Sequence, residues 1–156
     1  MAALIGRHIN KIDKKGRVSV PKQFRDALSG QEFTGIYAYP SFKYSAVEAT
    51  GHAFIQRIIA SLDDLALFSD EQDDLASIVL ENSHQLPYDP EGRVILPQTL
   101  LNHANIESVA VFVGRGSRFQ IWEPSAYELH NSAAFTRARS RGVTLSLRSE
   151  DVSGQL

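Results

Sequence analysis

Four basic side chains lie close together near the N-terminus and have the chemistry needed to bind a polyanion. Lys11, Lys14, Lys15 and Arg17 fall within one short segment. A lysine ammonium group contacts phosphate as a point charge, whereas the planar arginine guanidinium can donate two parallel hydrogen bonds to the two acceptors on the edge of guanine. The segment therefore predicts nucleic-acid binding, with the lysines on phosphates and Arg17 on bases.

The charge distribution along the chain supports this prediction, although the formal net charge is −2. Residues 1–30 contain seven Lys/Arg and two Asp/Glu, whereas residues 61–91 contain nine Asp/Glu and no Lys/Arg. Such asymmetry lets one end present a basic surface while the whole chain stays nearly neutral. Random segregation of solvated charges stays open as the alternative. Three further basic residues of the first segment are weaker candidates for DNA contacts: Arg7, Lys22 and Arg25.

The two lysines Lys14 and Lys15 occupy the centre of an Asp13-x-x-Gly16 sequence, which is typical of a tight turn. The aspartate side chain can accept hydrogen bonds from N–H groups inside the turn, and glycine readily adopts the positive φ that the turn requires. Apolar residues alternate on both sides of it, as they do in strands. We therefore expect a hairpin, followed by a short helix that begins at Pro21.

The same pattern recurs later in the chain, which indicates an internal duplication. Residues 13–21 (DKKGRVSVP) match residues 89–97 (DPEGRVILP), so Asp89, Gly92 and Arg93 correspond to Asp13, Gly16 and Arg17. Residues 43–48 also match residues 118–123 at nearly the same offset. Two matches in the same order predict two copies of one structural unit.

The remaining elements follow from periodicity and capping signals. We expect strands over 33–39, 43–47, 109–113 and 119–122, and helices over 47–62 and about 70–81, the second opening with a capping box at Ser69 and Gln72. The predicted fold class is α+β, mainly β, with helices between and after the repeats. The predicted segments are a first repeat with its helix over 5–62, an acidic helical connection over 63–83, a second repeat over 84–130 and a loosely ordered basic tail over 131–156.

The duplicated Asp-x-x-Gly-Arg-Val motif, with helices between its copies, resembles the MraZ family over residues 5–130. That family belongs to the swapped-hairpin regulators, together with AbrB-type regulators and MazE-like antitoxins. The resemblance implies interleaved hairpins that form a small β-barrel, and a ring-shaped homo-oligomer. It also implies binding to double-stranded DNA at short G-rich direct repeats upstream of the cell-division and cell-wall gene cluster, and hence a nucleoid-associated regulator or repressor. Guanine readout by Arg17 fits such a site.

A structural role is the alternative for both motif arginines. Arg17 could pack along the barrel and pair with Asp13, and Arg93 could pair with Asp89. The structural reading is stronger for Arg93, because Pro90 and Glu91 stand where the first copy has its two lysines. Asp13, Gly16, Asp89 and Gly92 are expected to build the turns and not to contact a ligand.

Several other function classes have no support in the sequence. The chain has no cysteine, so it offers no disulfide or thiolate metal site, and its five histidines lack the spacing of metal ligands. We identify no nucleophile motif, cofactor motif or small-molecule substrate site, and therefore no enzyme. No apolar run approaches the ~18 residues of a membrane span, and the N-terminus lacks a signal-peptide pattern, so we expect a cytoplasmic protein.

Two non-regulator functions stay open: an antitoxin-like module that binds a partner through its acidic segment, and a ring-forming interaction protein without specific DNA binding. The basic run at Arg137, Arg139 and Arg141 could contact nucleic acid, although a solvated tail is the preferred interpretation. Salt dependence separates these functions from DNA binding, because counterion release makes DNA affinity fall steeply with salt.

Overall fold

The computed structural model describes residues 3–149 and shows an α+β fold in which one order of elements occurs twice. The first copy contains β1 (Arg7–Lys11), β2 (Arg17–Ser19), α1 (Lys22–Ala27), β3 (Gly35–Pro40), β4 (Val47–Thr50) and α2 (His52–Asp63). The connection contains α3 (Asp70–Leu75), which continues into a π-helical segment (Ala76–Glu81). The second copy contains β5 (His84–Pro87), β6 (Arg93–Ile95), α4 (Gln98–Ala104), β7 (Val109–Gly114), β8 (Phe119–Trp122) and α5 (Pro124–Arg141). The predicted fold class and duplication are confirmed.

The two copies exchange strands, so the arms of each turn pair with the other repeat. β1 pairs with β7, β2 with β6 and β5 with β3, all antiparallel. The expectation from the residues alone, a hairpin whose two arms pair with each other, is therefore wrong, whereas the interleaving implied by the family resemblance is confirmed. A physical reason is burial: β2 and β6 have only three residues each, and their pairing sets Val18 opposite Val94, so that each valine covers the other.

The strands form a six-stranded sheet in the order β1-β7-β8-β4-β3-β5 and a separate two-stranded ribbon, β2–β6. One hydrophobic core lies between the ribbon, the short helices and the sheet. Val18 and Val94 enter it from the ribbon, while Phe24 on α1 is fully buried and packs 5.0 Å from the Phe119 ring on β8. The core thus combines residues of both repeats and positions the ribbon at the surface.

The region after β3 differs from the sequence-based prediction. Residues 47–50 form strand β4, which pairs with β3 and β8, and the helix expected over 47–62 begins only at His52. The strand is preferred because its four side chains are all buried between neighbouring elements. The second predicted helix is present: the Ser69 hydroxyl accepts a hydrogen bond from the Gln72 N–H at 3.2 Å. The Gln72 side chain does not close the capping box, because its amide donates to the Leu62 carbonyl.

The C-terminal segment is more ordered than expected. Helix α5 extends to Arg141, so the loosely ordered tail predicted from residue 131 is wrong for residues 131–141. The Glu123 side chain caps its N-terminus, and His130 stacks on Trp122 at 4.6 Å, which ties the helix to the sheet. Residues 143–149 are exposed and have no regular secondary structure, and residues 150–156 of the predicted tail lie outside the described part. Over the described residues, none of the helices combines the length and apolar character needed to cross a bilayer.

Replacement of Phe24 by alanine should lower the free energy of unfolding by about 3–5 kcal/mol, because it leaves a cavity between the ribbon and the sheet. Chemical denaturation followed by circular dichroism measures this change. Phe68→Ala is the matched control: that side chain is 90% exposed, and its loss should change the unfolding free energy little. Equal losses in the two variants would contradict the proposed core.

Candidate nucleic-acid interface

The first Asp-x-x-Gly turn is held together by one carboxylate. Asp13 Oδ1 accepts hydrogen bonds from the backbone N–H groups of Lys15 and Arg17, both at 2.9 Å. The Gly16 N–H donates to the Asp13 carbonyl at 3.0 Å, and Gly16 adopts a φ of +85°, a region that favours glycine. The turn therefore projects Lys14 and Lys15, both exposed, away from the core.

The second turn repeats this geometry almost atom for atom. Asp89 Oδ1 accepts from the N–H groups of Glu91 and Arg93 at 2.9 Å each, and Gly92 has a φ of +79°. The four residues expected to build the turns thus occupy the turn positions. Equivalent local sequences give equivalent backbone geometry here, because the hydrogen bonds depend only on the aspartate and the glycine.

The two turns also support each other across the pseudo-twofold arrangement. The Val20 N–H donates to the Gly92 carbonyl at 3.1 Å, and the Leu96 N–H donates to the Gly16 carbonyl at 2.9 Å. A Cβ atom at Gly16 would lie 3.0 Å from the Leu96 carbonyl oxygen, so this close approach also favours glycine. The ribbon is consequently a single rigid unit built from both repeats.

The ribbon has one buried face and one exposed face. Val18 and Val94 point inward, so their strand neighbours point outward. The outward side chains form two cross-strand pairs, Arg17 opposite Ile95 and Ser19 opposite Arg93. We call these four residues the ribbon face.

The two arginines of the ribbon face have different environments. Arg17 donates from Nε to Asp13 Oδ2 at 2.6 Å, and among residues 3–149 it pairs with no second carboxylate. Arg93 makes the equivalent bond to Asp89 at 2.8 Å, but its terminal Nη2 also donates to Glu91 at 3.0 Å. The ion pair expected of a structural arginine therefore exists in both copies. Only in the second copy does a further carboxylate engage the outer end of the guanidinium.

The turn carboxylates titrate differently from ordinary aspartates. The pKa of Asp13 lies below its usual value, chiefly because the Arg17 backbone N–H bonds to the charged form, with the Arg17 side chain adding to this effect. The pKa of Asp89 is lowered by the same contacts from Arg93. Conversely, the pKa of Arg93 is raised, first by its hydrogen bond to Asp89 and further by the charges of Asp89, Glu91 and Asp13. Both turns therefore retain charged aspartates at neutral pH.

The structure separates the other basic candidates into two groups. Lys11, Lys14 and Lys15 are exposed, and no carboxylate within residues 3–149 pairs with them. The remaining three are engaged inside the chain. Arg7 lies 3.5 Å from Glu128, Lys22 lies 2.8 Å from Asp26, and Arg25 donates from Nε to the Val20 carbonyl.

Arg25 has the most internal position of these residues. It is half-buried, and its guanidinium lies over Gly92, where a Cβ atom added to the glycine would come within 2.5 Å of the guanidinium carbon. This contact joins α1 of the first repeat to the turn of the second. The geometry gives Arg25 a clear structural role and provides no support for the DNA contact predicted from its charge.

A polar groove of about 730 Å³ lies beside the first turn. Its lining includes Lys14 and Lys15 from the first repeat, and Ile95, Gln98 and Asn102 from the second. These second-repeat residues were not identified from the sequence. A signal was available for Ile95, because alternation in Val94-Ile95-Leu96 places the middle residue on the outer face, where an isoleucine is unusual.

Residues 3–149 contain no cluster of three or more His, Asp or Glu side chains that could hold a metal ion. A second groove, of about 670 Å³, contains an ion pair between Arg118 and the buried Glu48, at 3.3 Å. Glu48 also accepts from the Gln120 amide at 2.9 Å, and Gln120 in turn accepts from the Trp122 indole at 3.0 Å. This network satisfies its own polar groups and stabilises the sheet.

Replacement of Asp13 by asparagine should destabilise the fold at neutral pH but not in acid. A carboxyl group whose pKa is lowered on folding stabilises the protein above its unfolded pKa, and this contribution is lost as the pH falls through the folded pKa. The difference in unfolding free energy between wild type and Asp13→Asn should therefore be present at pH 7 and shrink below about pH 4. Denaturant titrations at both pH values measure it. Asp26→Asn, which removes only an exposed pair with Lys22, should give a smaller difference, and a difference for Asp13→Asn that grows in acid would contradict the assignment.

Known proteins resemble this chain over most of its length. A sequence model of one family, described as "MraZ protein, putative antitoxin-like", matches residues 79–143. The chain is 39% identical over 145 residues to the Transcriptional regulator MraZ of Rickettsia akari (strain Hartford), covering 93% of this chain and 97% of that protein. It is 47% identical over 136 residues to the Transcriptional regulator MraZ of Pelagibacter ubique (strain HTCC1062), covering 87% of this chain and 88% of that protein. Identity of this extent over most of both lengths shows that the chain belongs to the MraZ family of transcriptional regulators.

Proposed function

We propose that this protein regulates transcription by binding double-stranded promoter DNA with the first turn and the part of the ribbon face around Arg17. The observation that carries the proposal is the placement of Arg17 on an exposed two-stranded ribbon with Lys14 and Lys15 at its tip. A two-stranded antiparallel ribbon is narrow enough to enter the ~12 Å major groove. The guanidinium would then face base edges, while the lysines would reach the phosphates on either side.

Arg17 is proposed as the base-reading residue. Its contact with Asp13 uses Nε only, so the ion pair fixes the direction of the guanidinium and leaves the terminal nitrogens as donors. Two donors in one plane match the O6 and N7 acceptors of guanine. Arg17 can therefore both pair with Asp13 and contact a base. The aspartate that stabilises the turn also orients the arginine.

The first turn is proposed to contact DNA in each subunit, and the second turn is proposed to have only a structural role. Lys11, Lys14 and Lys15 supply positive charge at the first turn, whereas the second turn carries Pro90 and Glu91 at the lysine positions. Glu91 would repel phosphate and also occupies Arg93. Arg7 and Lys22 are weaker candidates for contacts with phosphate. To bind DNA they would have to break their exposed ion pairs with Glu128 and Asp26, which are weak.

The target is proposed to be short G-rich direct repeats in the promoter of the cell-division and cell-wall gene cluster, as the family resemblance implies. One turn offers few charges, so a single subunit would bind weakly. A ring-shaped homo-oligomer on repeated sites would convert several weak contacts into useful affinity. The protein would accordingly act on the nucleoid in the cytoplasm.

A protein-interaction function is the second candidate. Leu67 and Phe68, between α2 and α3, are 70% and 90% exposed, which suits contact with another protein chain. The acidic segment 63–83, however, is largely helical, and Val79 packs with Tyr39 and Ile55 against the sheet. An acidic segment anchored in this way differs from a disordered toxin-binding tail. The antitoxin-like function is therefore less well supported than DNA binding.

Arg17→Ala should remove the preference for the guanines of the site, while Arg93→Ala retains it. Loss of a bidentate guanine contact costs about 1–3 kcal/mol, which corresponds to roughly 5–150-fold weaker binding to a fragment with repeated G-rich boxes. Gel-shift titrations against that fragment, and against one with the guanines replaced, measure the preference. Arg93→Ala is the matched control because it removes the equivalent residue from the equivalent turn. Retained preference in Arg17→Ala would overturn the assignment of the reading residue.

The double variant Lys14→Ala/Lys15→Ala should weaken binding to all DNA sequences and flatten its salt dependence. Each phosphate contact contributes about 0.9 to the slope of log affinity against log salt concentration, so loss of both lysines should reduce the slope by about 2. Titrations at several salt concentrations measure it. Lys43→Ala, which removes an exposed lysine outside the ribbon, should leave the slope unchanged. An unchanged slope in the double variant would exclude these lysines from the interface.

A further inference from the structure

The ribbon face contains one exposed apolar side chain, Ile95, among polar residues. Ile95 is 59% exposed, although the other apolar residues of the two strands, Val18 and Val94, are almost completely buried. Its counterpart in the first repeat is Ser19, which is the type of residue expected at an outward position. An exposed isoleucine at the end of a short strand adds little to the core, so its apolar surface is available to another molecule.

The strand register places Ile95 beside Arg17. The two residues lie directly opposite each other in the β2–β6 pair, so their side chains emerge from the same face, and such cross-strand neighbours have Cβ atoms about 5 Å apart. A Cβ atom at Gly16, next to Arg17, would lie 3.7 Å from Ile95 Cγ2. The planar guanidinium of Arg17 and the branched aliphatic side chain of Ile95 therefore lie side by side on the ribbon face.

The surroundings of this pair indicate which kind of molecule it contacts. Ile95 also lines the 730 Å³ groove with Lys14, Lys15, Gln98 and Asn102. Two carboxylates, Asp13 and Glu107, line it as well, and Asp13 is already paired with Arg17. The lysine ammonium groups can pair with negative charge, and the Gln98 and Asn102 amides can form hydrogen bonds. Ile95 between them can pack against a small apolar group. A binding partner that matches all three combines these features on one surface. The DNA major groove has this combination, because thymine presents its C5 methyl group there beside the acceptors of neighbouring bases.

We propose that Ile95 is a specificity-determining residue that contacts the methyl group of a thymine next to the guanine read by Arg17. The inference rests on the proposed DNA binding and adds to it that the second repeat takes part in base recognition. Successive bases of one strand are about 3.4 Å apart along the helix axis, so two side chains whose Cβ atoms are about 5 Å apart can reach neighbouring base pairs. Arg17 and Ile95 together would thus read a two-base step that contains guanine and thymine.

The test isolates the methyl group. A randomised double-stranded DNA library selected with the wild-type protein gives a bound sequence, and each thymine in it is then replaced singly by deoxyuridine, which keeps the hydrogen-bonding groups and lacks the methyl. We expect one position, adjacent to a guanine, at which this replacement weakens wild-type binding about fourfold, the factor for one methyl group returned to water. In Ile95→Ala the same replacement should have no effect.

Ile5→Ala is the matched control, because Ile5 is 58% exposed, lies beside Gly114 and is not part of the β2–β6 ribbon. It should keep the fourfold difference between thymine and deoxyuridine. An identical difference in Ile95→Ala and wild type, or no sensitive thymine in a tightly bound sequence, overturns the role of Ile95 and leaves the DNA-binding proposal intact. Failure of the wild type to select any sequence overturns both. A change in oligomer mass in Ile95→Ala without a change in base preference would assign Ile95 to a contact between copies, which also overturns the proposal.

Discussion

The pairing of β2 with β6 is the interaction on which the rest of the structure depends. Each of these strands has three residues, yet their pairing buries Val18 against Val94 and links the turns through reciprocal bonds from Val20 and Leu96 to the glycine carbonyls. Neither strand could bury its valine alone. The exchange of strands therefore unites the two repeats in a common core, and it also creates the only two-stranded ribbon in the described part of the chain.

Duplication followed by divergence gives this ribbon two similar backbones with different charges. The aspartate and glycine that form each turn are the same, so the hydrogen bonds agree closely in both copies. The exposed positions between them differ: lysines project from the first turn, and Glu91 engages Arg93 in the second. Backbone geometry and surface chemistry are thus separated, because the turn requires only two of its four residues. In the proposed function, the lysines of the first turn bind a polyanion, while the Asp89 turn keeps its structural role.

The proposed recognition of DNA uses residues of both repeats. Arg17 is oriented by an aspartate of its own turn, whereas the apolar contact beside it is provided by a strand from the other copy. A reading surface of this kind can form only when the strands have exchanged. Stability of the fold and specificity of binding are therefore linked through the same short strands, so a variant that disturbs the ribbon should affect both properties.

The sequence by itself determined the duplication, the two turns, the position of the basic residues and the inward direction of the valines. These features depend on local requirements: a carboxylate and a glycine for the turn, alternation for the strand. Only the tertiary structure decided which strands pair, why Arg25 faces inward, that residues 47–50 form a strand, and that Ile95 lies next to Arg17. The physical reason is that backbone hydrogen bonds are nearly independent of side-chain identity. Alternation therefore specifies which face of a strand is buried, while the partner strand is selected by packing of the whole core.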